Sequence, residues 1–289
     1  MKQSRSHFHE IRGLRYHVRH WPQPGAPKLV LLHGWMDVSA SFQFLVDAFS
    51  HAWDVYAPDW RGYGLTAWTE ADCYWFPDYL ADLDFLLDAL VPEGPVNLVG
   101  HSLGGNVACL YAGVKPERVA KLVNLEGFGM PATRPGQAPG RYRRWLDELH
   151  ERPTLRPYDD FAALARRLQK SNPRLGAERA RFLAEHWGRQ DESGKVVLRG
   201  DPAHKIVNAT LYRQEEARAC WSSITAPVLW VEAAQSDTLE RMKLDAAELA
   251  ERRRAFRNLR HAVVEDAGHM LHHDQPEALA RLLEPFLLE

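Results

Sequence analysis

Cysteine is scarce in this chain: Cys73, Cys109 and Cys220 are the only three, far apart in 289 residues. An odd number at such spacing excludes a disulfide framework and a cysteine metal knuckle. A reducing cytoplasm is therefore the expected setting, and no metal is expected. Long apolar runs are missing too. None approaches the ~20 residues of a membrane span, and the opening "MKQSRSHFHEIRG" lacks the apolar core of a secretory signal. Nor is there an excess of one charge. A formal net charge of -2 supplies neither a basic surface for nucleic acid nor a polybasic tract for an anionic membrane. Internal repeats and low-complexity tracts are absent. What remains is an ordinary globular composition, 45% apolar and 26% charged, which permits a sizeable core. A small molecule is the expected partner, and a homodimer is left open.

The apolar residues that are present fall into an alternating pattern. "KLVLLHGW" (28–35), "WDVYAPDW" (53–60), "VNLVG" (96–100) and "VAKLVNLEG" (119–127) are short, nearly continuous apolar runs that stop at glycine or at a Pro/Gly loop. Such runs predict strands buried on both faces of a parallel sheet. Between them lie segments of helical period, such as "DYLADLDFLLDAL" (78–90) with leucine at 80, 83, 86, 87 and 90. The segments around Phe8–Ile11 and Leu14–His20 predict a hairpin. From about residue 129 to 221 strand signals vanish, and the chain reads as charged amphipathic helices entered through the Pro/Gly-rich "GMPATRPGQAPG". The pattern resumes at "APVLWVEAA" (226–234), with a helix over 239–256, a strand at "RHAVVEDAG" (260–268) and a last helix over 276–288. The expected fold is α/β: a mostly parallel sheet with helices on both faces, residues 1–128 and 222–289, and an all-helical insertion over 129–221.

Within this frame "NLVGHSLGGNVA" (97–108) stands out, because a strand ends in glycine and a helix opens directly after a serine. Gly100-His101-Ser102-Leu103-Gly104 fits G-x-S-x-G. A chain of this length meets the bare pattern by chance roughly one time in ten at average glycine usage. The strand before and the helix after make it specific. Glycines at both ends remove the side chains that would collide where strand and helix cross. The serine hydroxyl is left exposed at the carboxyl edge of the sheet, beside the free N–H groups of a helix start.

Together "LLHGW" (31–35), "APDWRGYG" (57–64), "GHSLGG" (100–105) and "DAGHMLHHDQPEAL" (266–279) resemble the α/β-hydrolase superfamily over nearly the whole chain. Within it, His33-Gly34-Trp35-Met36-Asp37 is most similar to the serine hydrolase-like proteins, which carry HGW-x-D after the first central strand. The resemblance implies the α/β-hydrolase fold, a helical cap over the active site, and hydrolysis by a serine nucleophile without a cofactor. Ser102 would be the nucleophile and His269, after the last strand and a glycine turn, the base. The carboxylate that orients the base has two candidates. Asp237 follows the strand before the last, one residue later than Ser236, where the usual register would put the acid. As an alternative to catalysis, it suits the N-cap of "TLERMKL". Glu126 stands at the end of "KLVNL" and has no such structural role, so it is preferred. The oxyanion hole would use the backbone N–H of Leu103 and of Trp35, with Met36 the alternative to Trp35.

Other residues carry structural expectations. His33 would prop the oxyanion loop, His101 would pack, and His272 and His273 would be surface or packing residues. Asp59 and Arg61 read as a loop-bracing pair, and the arginines at 141, 143, 144, 166 and 167 as a solvated helix face. Asp37 either braces the oxyanion loop or touches substrate. The expected activity is hydrolysis of a small to medium carboxylic ester through an acyl-enzyme. The same residues would serve a thioester, a lactone or a carbon–carbon bond, and a hydrolase-fold binding protein with little turnover is the rival from another class.

Overall fold

Alternate residues of the apolar runs go to opposite layers, and this sets the architecture. A computed structural model describes residues 1–289. In β3 (Lys28–Leu32), Leu29 and Leu31 join one core cluster while Val30 and Leu32 join the other. Ten strands form. β7 (Gly188–Gln190) and β8 (Val196–Leu198) make a separate hairpin. The others are β1 (Arg5–Ile11), β2 (Leu14–Trp21), β4 (Asp54–Pro58), β5 (Val96–His101), β6 (Val119–Leu125), β9 (Val228–Ala233) and β10 (Leu259–Val264). With β3 they build one sheet in the order β1-β2-β4-β3-β5-β6-β9-β10. β2 pairs antiparallel with β1 and with β4, and every later pairing is parallel.

Parallel strands need helical crossovers, and these cover both faces. Residues of α2 (Phe76–Leu90), α3 (Leu103–Val114), α7 (Gln214–Ser222) and α9 (Ala246–Arg254) pack in one cluster with Val30, Leu98 and Trp230. Residues of α1 (Gln43–Ala48), α10 (Leu271–Asp274) and α11 (Pro276–Leu288) pack in the other with Leu31, Val99 and Val231. β4 lies on one side of β3 and β5 on the other. The loops leaving β3 and β5 therefore diverge at the carboxyl edge and open a crevice there, where α/β sheets bind ligands. No helix is long and apolar enough to cross a membrane.

The chain between β6 and β9 departs from the expected all-helical insertion. It contains α4 (Ala138–His150), α5 (Phe161–Ser171) and α6 (Ala177–Trp187), but also the β7–β8 hairpin. Three-residue strands are too short for alternation to register. Their signal was the turn: Gly194 at φ +80°, with Asp191 accepting from the backbone N–H of Ser193 and Lys195. The boundary at 222 moves as well. α7 falls almost wholly inside the expected insertion, yet Ala217 and Trp221 are core residues, and a Cβ on Gly113 of α3 would lie 2.0 Å from the Cys220 carbonyl oxygen. The helix expected over 239–256 is broken into α8 (Thr238–Met242) and α9. Lys243 turns left-handed at φ +55°, and Asp245 caps α9 by accepting from Glu248 N–H.

Two polar clusters hold the loop after β4, residues 59–67. Asp82 of α2 is fully buried; it accepts from Arg61 Nε at 2.5 Å and Nη2 at 2.6 Å and from Tyr16 Oη at 2.7 Å. Burial opposes the Arg61 charge, but Asp82 outweighs it and keeps the guanidinium firmly protonated. Asp59 bonds elsewhere than to Arg61, contrary to the expected pair. Its Oδ2 meets His17 Nδ1 at 2.7 Å, and it accepts from Ser39 N and Leu65 N. The loop then receives the insertion. The His204 ring stacks between Tyr63 and Tyr74, with centroids 3.7 Å away on each side. Main-chain bonds from Gly64 N to Arg199 O and from Asp201 N to Gly62 O complete the seam.

Replacing Asp82 by Ala leaves a buried guanidinium without its main partner. The unfolding free energy should fall by about 3–5 kcal/mol, read as a lower urea midpoint at unchanged slope. His204 makes the second prediction. Burial pushes its pKa from 6.5 down to about 3, so the folded ring stays neutral while an unfolded one takes a proton below 6.5. The unfolded state then binds more protons, and stability falls as pH drops through the window from 6.5 to about 3. Between pH 7 and 5 the loss from this group is on the order of 2 kcal/mol. A His204→Phe chain should show a correspondingly flatter pH dependence in urea titrations at the two pH values.

Candidate active site

Where β5 ends, the backbone turns through an unfavourable conformation. Ser102 has φ +51° and ψ -112°, which a non-glycine residue holds only when its surroundings enforce it. Ser102 N–H donates to Leu125 O at 2.8 Å, and Ser102 O accepts from Asn106 N at 2.9 Å, so α3 starts at once. The crossing is too close for side chains. A Cβ on Gly100 would lie 2.4 Å from Gly104 O, and one on Gly104 would lie 2.1 Å from Leu32 O. Ser102 is only half-buried, its hydroxyl is at the carboxyl edge, and the first N–H groups of α3 beside it have no partner within the helix.

His269 arrives from the other end of the chain. Its loop follows β10 and is tied by Gly268 N–H to Asp274 Oδ2 at 2.9 Å. His269 Nε2 lies 3.1 Å from Ser102 Oγ. On its far side, Nδ1 lies 3.2 Å from Glu126 Oε2 and 3.0 Å from Thr238 Oγ1. Since Nδ1 faces a carboxylate, it carries the proton, and Nε2 is left to accept from the serine.

Glu126 follows β6 directly, also with a left-handed backbone at φ +55°. Asn124 holds that turn: its Nδ2 donates to Gly127 O at 2.7 Å and its Oδ1 accepts from Gly127 N at 3.1 Å. The carboxylate is almost wholly buried, with 1% of its side chain exposed. A buried carboxylate demands partners. Oε1 accepts from Ala233 N at 2.8 Å, and Oε2 accepts from Ser236 Oγ at 2.5 Å.

Of the two carboxylates weighed from the sequence, only Glu126 meets His269. Asp237 stands at the N-cap of α8, with its side chain about two-thirds exposed and paired with Arg241 at 3.0 Å. Ser236 and Thr238, on either side of it, carry no role in the sequence reading, yet both touch the cluster. Ser236 fills the position that the usual register reserves for an acid. It donates to the carboxylate that came from β6 instead.

The loop after β3 runs over Ser102, where a Cβ on Gly34 would lie 3.3 Å from Ser102 Cβ. His33 is fully buried and neutral, its pKa lowered by burial. Its Nε2 accepts from Trp60 N at 2.9 Å, so Nδ1 carries the proton and donates to Gly34 O at 2.8 Å. Gly34 C=O and Trp35 N–H belong to one peptide plane and point opposite ways. His33 thereby sets the direction of the Trp35 N–H. Met36 follows at φ +57°. Asp37 is buried, and its Oδ1 accepts from Val38 N and from the Ser41 hydroxyl, so it braces the end of this loop. His272 and His273 are interior residues rather than surface ones. A cleft of about 570 Å³ lined by Lys2, Trp21 and Trp53 opens at the opposite edge of the sheet, away from Ser102.

Comparison with known proteins shows what the chain resembles. A family profile described as alpha/beta hydrolase fold matches residues 27–276. The chain is 27% identical to a serine hydrolase-like protein of Danio rerio over 274 residues, covering 92% of this chain and 82% of that one. It is 26% identical to an esterase of Mycobacterium tuberculosis, covering 91% and 83%. Among solved structures, the thioesterase domain from the curacin biosynthetic pathway superposes with a TM-score of 0.86 at 25% identity, covering 97% of this chain and 99% of that one.

Proposed function

The chain belongs to the α/β-hydrolase family, and on that footing we propose that it is a serine hydrolase acting on a small to medium, partly apolar carboxylic ester. One observation carries the reading: the line from Ser102 Oγ to His269 Nε2, 3.1 Å, and from His269 Nδ1 to Glu126 Oε2, 3.2 Å. A serine hydroxyl at its ordinary pKa is a weak nucleophile, and this line supplies the base and the group that orients it.

Ser102 Oγ attacks the carbonyl carbon while His269 Nε2 takes its proton. Glu126 keeps Nδ1 protonated and stabilises the imidazolium that forms. Negative charge develops on the former carbonyl oxygen, toward the N–H groups of Leu103 and Trp35. The helix start favours the first donor and the His33–Gly34 bond favours Trp35 over Met36 for the second. His269 then protonates the leaving alcohol. Water, deprotonated by the same imidazole, attacks the acyl-serine and releases the acid and free Ser102. A thioester is the second reading, favoured by the likeness to the thioesterase domain. Three free cysteines suit a cytoplasmic setting.

A fluorophosphonate probe should add once, at Ser102, as mapped by peptide mass spectrometry, and not at all in Ser102→Ala. Labelling elsewhere, or ester turnover surviving in Ser102→Ala, would sink the proposal. For the acid, Glu126→Gln should lower kcat on the order of 10³–10⁴-fold by removing the anion that holds the tautomer. Asp237→Asn, at an exposed pair, should leave kcat within about twofold. The reverse ranking would reassign the acid.

A further inference from the structure

Behind the oxyanion loop three polar side chains converge in a fully enclosed place. Asp37 comes from the loop after β3, His101 from the end of β5, and His272 from α10; each is 1% exposed or less. Asp37 Oδ2, His101 Nδ1 and both ring nitrogens of His272 have no hydrogen-bond partner. One donor atom from each residue lies within 4.8 Å of the others, and Asp37 Oδ2 is 3.7 Å from His272 Nε2, beyond a hydrogen bond. Buried polar atoms are rarely left unpaired, and here they are gathered around one point.

Two of these residues, His101 and Asp37, have the outer contacts of metal ligands. His101 Nε2 donates to the His269 carbonyl at 2.8 Å, which fixes its tautomer and leaves the buried Nδ1 with a free lone pair and no partner. Asp37 Oδ1 is occupied by Val38 N and Ser41, which aims Oδ2 inward. A ring N–H given to a backbone carbonyl and a carboxylate oriented by a second set of bonds are the usual supports of a metal-binding imidazole and carboxylate.

We propose that Asp37, His101 and His272 form a binding site for a late first-row divalent cation, Zn²⁺ or Cu²⁺, whose occupancy inhibits the enzyme. Two imidazoles and one carboxylate suit these ions rather than Mg²⁺ or Ca²⁺. An ion with bonds of about 2.0–2.2 Å holds neighbouring ligand atoms about 3.4 Å apart. Binding therefore draws the three groups together by up to roughly 1.4 Å from their widest separation. Asp37 pulls on the loop that carries Gly34 and Trp35. His101 pulls on the residue next to Ser102 and on its bond to the His269 carbonyl. The inhibition rests on the hydrolase reading; the binding does not.

The test uses the full chain, freed of metal with EDTA, then given one equivalent of Zn²⁺ or Co²⁺ and desalted. We expect one ion per chain by elemental mass spectrometry and the ligand-field absorption of low-coordinate Co²⁺. Asp37→Asn and His272→Gln should each lose at least about tenfold in affinity. Anomalous scattering from Zn²⁺-soaked crystals of the unaltered protein locates the ion without any variant. Fluorophosphonate labelling of Ser102 should slow in step with metal content and recover with EDTA. Failure to retain an ion, equal retention by both variants, or an anomalous peak away from Asp37 and His272 would overturn the site. Full occupancy with unchanged labelling would overturn the coupling. A chain that never reacts with the probe would count against the hydrolase reading and leave the metal content to decide the site.

Discussion

The close approach of β5 to α3 is the constraint on which the other features depend. Gly100 and Gly104 let backbone meet backbone where any side chain would collide, and only this lets Ser102 sit at φ +51°. Strain of this kind amounts to roughly 1–3 kcal/mol and persists only when the surroundings over-determine it. The surroundings do so twice over. Leu125 O holds the Ser102 N–H, and Leu32 O lies where a Gly104 side chain would be. The same contacts fix the neighbouring strands, so the loops after β3 and β6 emerge at set positions around the serine. Met36 and Glu126 then adopt left-handed backbones of their own. Three strained residues at three adjacent strand ends surround one crevice.

The segment between β6 and β9 is not a separate body resting on this crevice. Its His204 carbonyl accepts from Trp35 Nε1, and Trp187 Nε1 donates to Ser41 Oγ, which itself bonds Asp37. Arg199 and Asp201 are bonded to the loop that also contains Tyr63. The loop after β3 is thus held from below by His33 and Asp37 and from above by the insertion. The His204 stack and the Trp35 side chain are thus one hydrogen bond apart.

Local features were legible. The strands, the hairpin, the helix over 276–288 and the serine turn all follow from short-range pattern, because alternation, helical period and glycine placement are properties of a few successive residues. The failures were local in another way. β7 and β8 have three residues each, less than one readable repeat, and only the Gly194 turn marked them. The break between α8 and α9 did have a signal, Asp245 followed three residues later by Glu248, but the leucine and methionine spacing ran across it. α7 reads as charged and exposed in sequence, yet Trp221 seats it in the core.

The sequence by itself determined the α/β order, the position of the serine and the histidine that faces it, since each lies in a motif whose parts are contiguous. It did not determine what surrounds them. Glu126 meets His269 across 143 residues of chain, and Ser236 meets Glu126 across 110. Asp37, His101 and His272 come from three separate elements. Glu126 is preferred in the sequence only because it has no structural role there, and Asp237 stays open because position after a strand is a local property. Tertiary structure brings Glu126 to His269 and leaves Asp237 paired with Arg241, because a carboxylate's partners depend on which atoms reach it in space. In a parallel sheet, strand ends far apart in sequence become immediate neighbours.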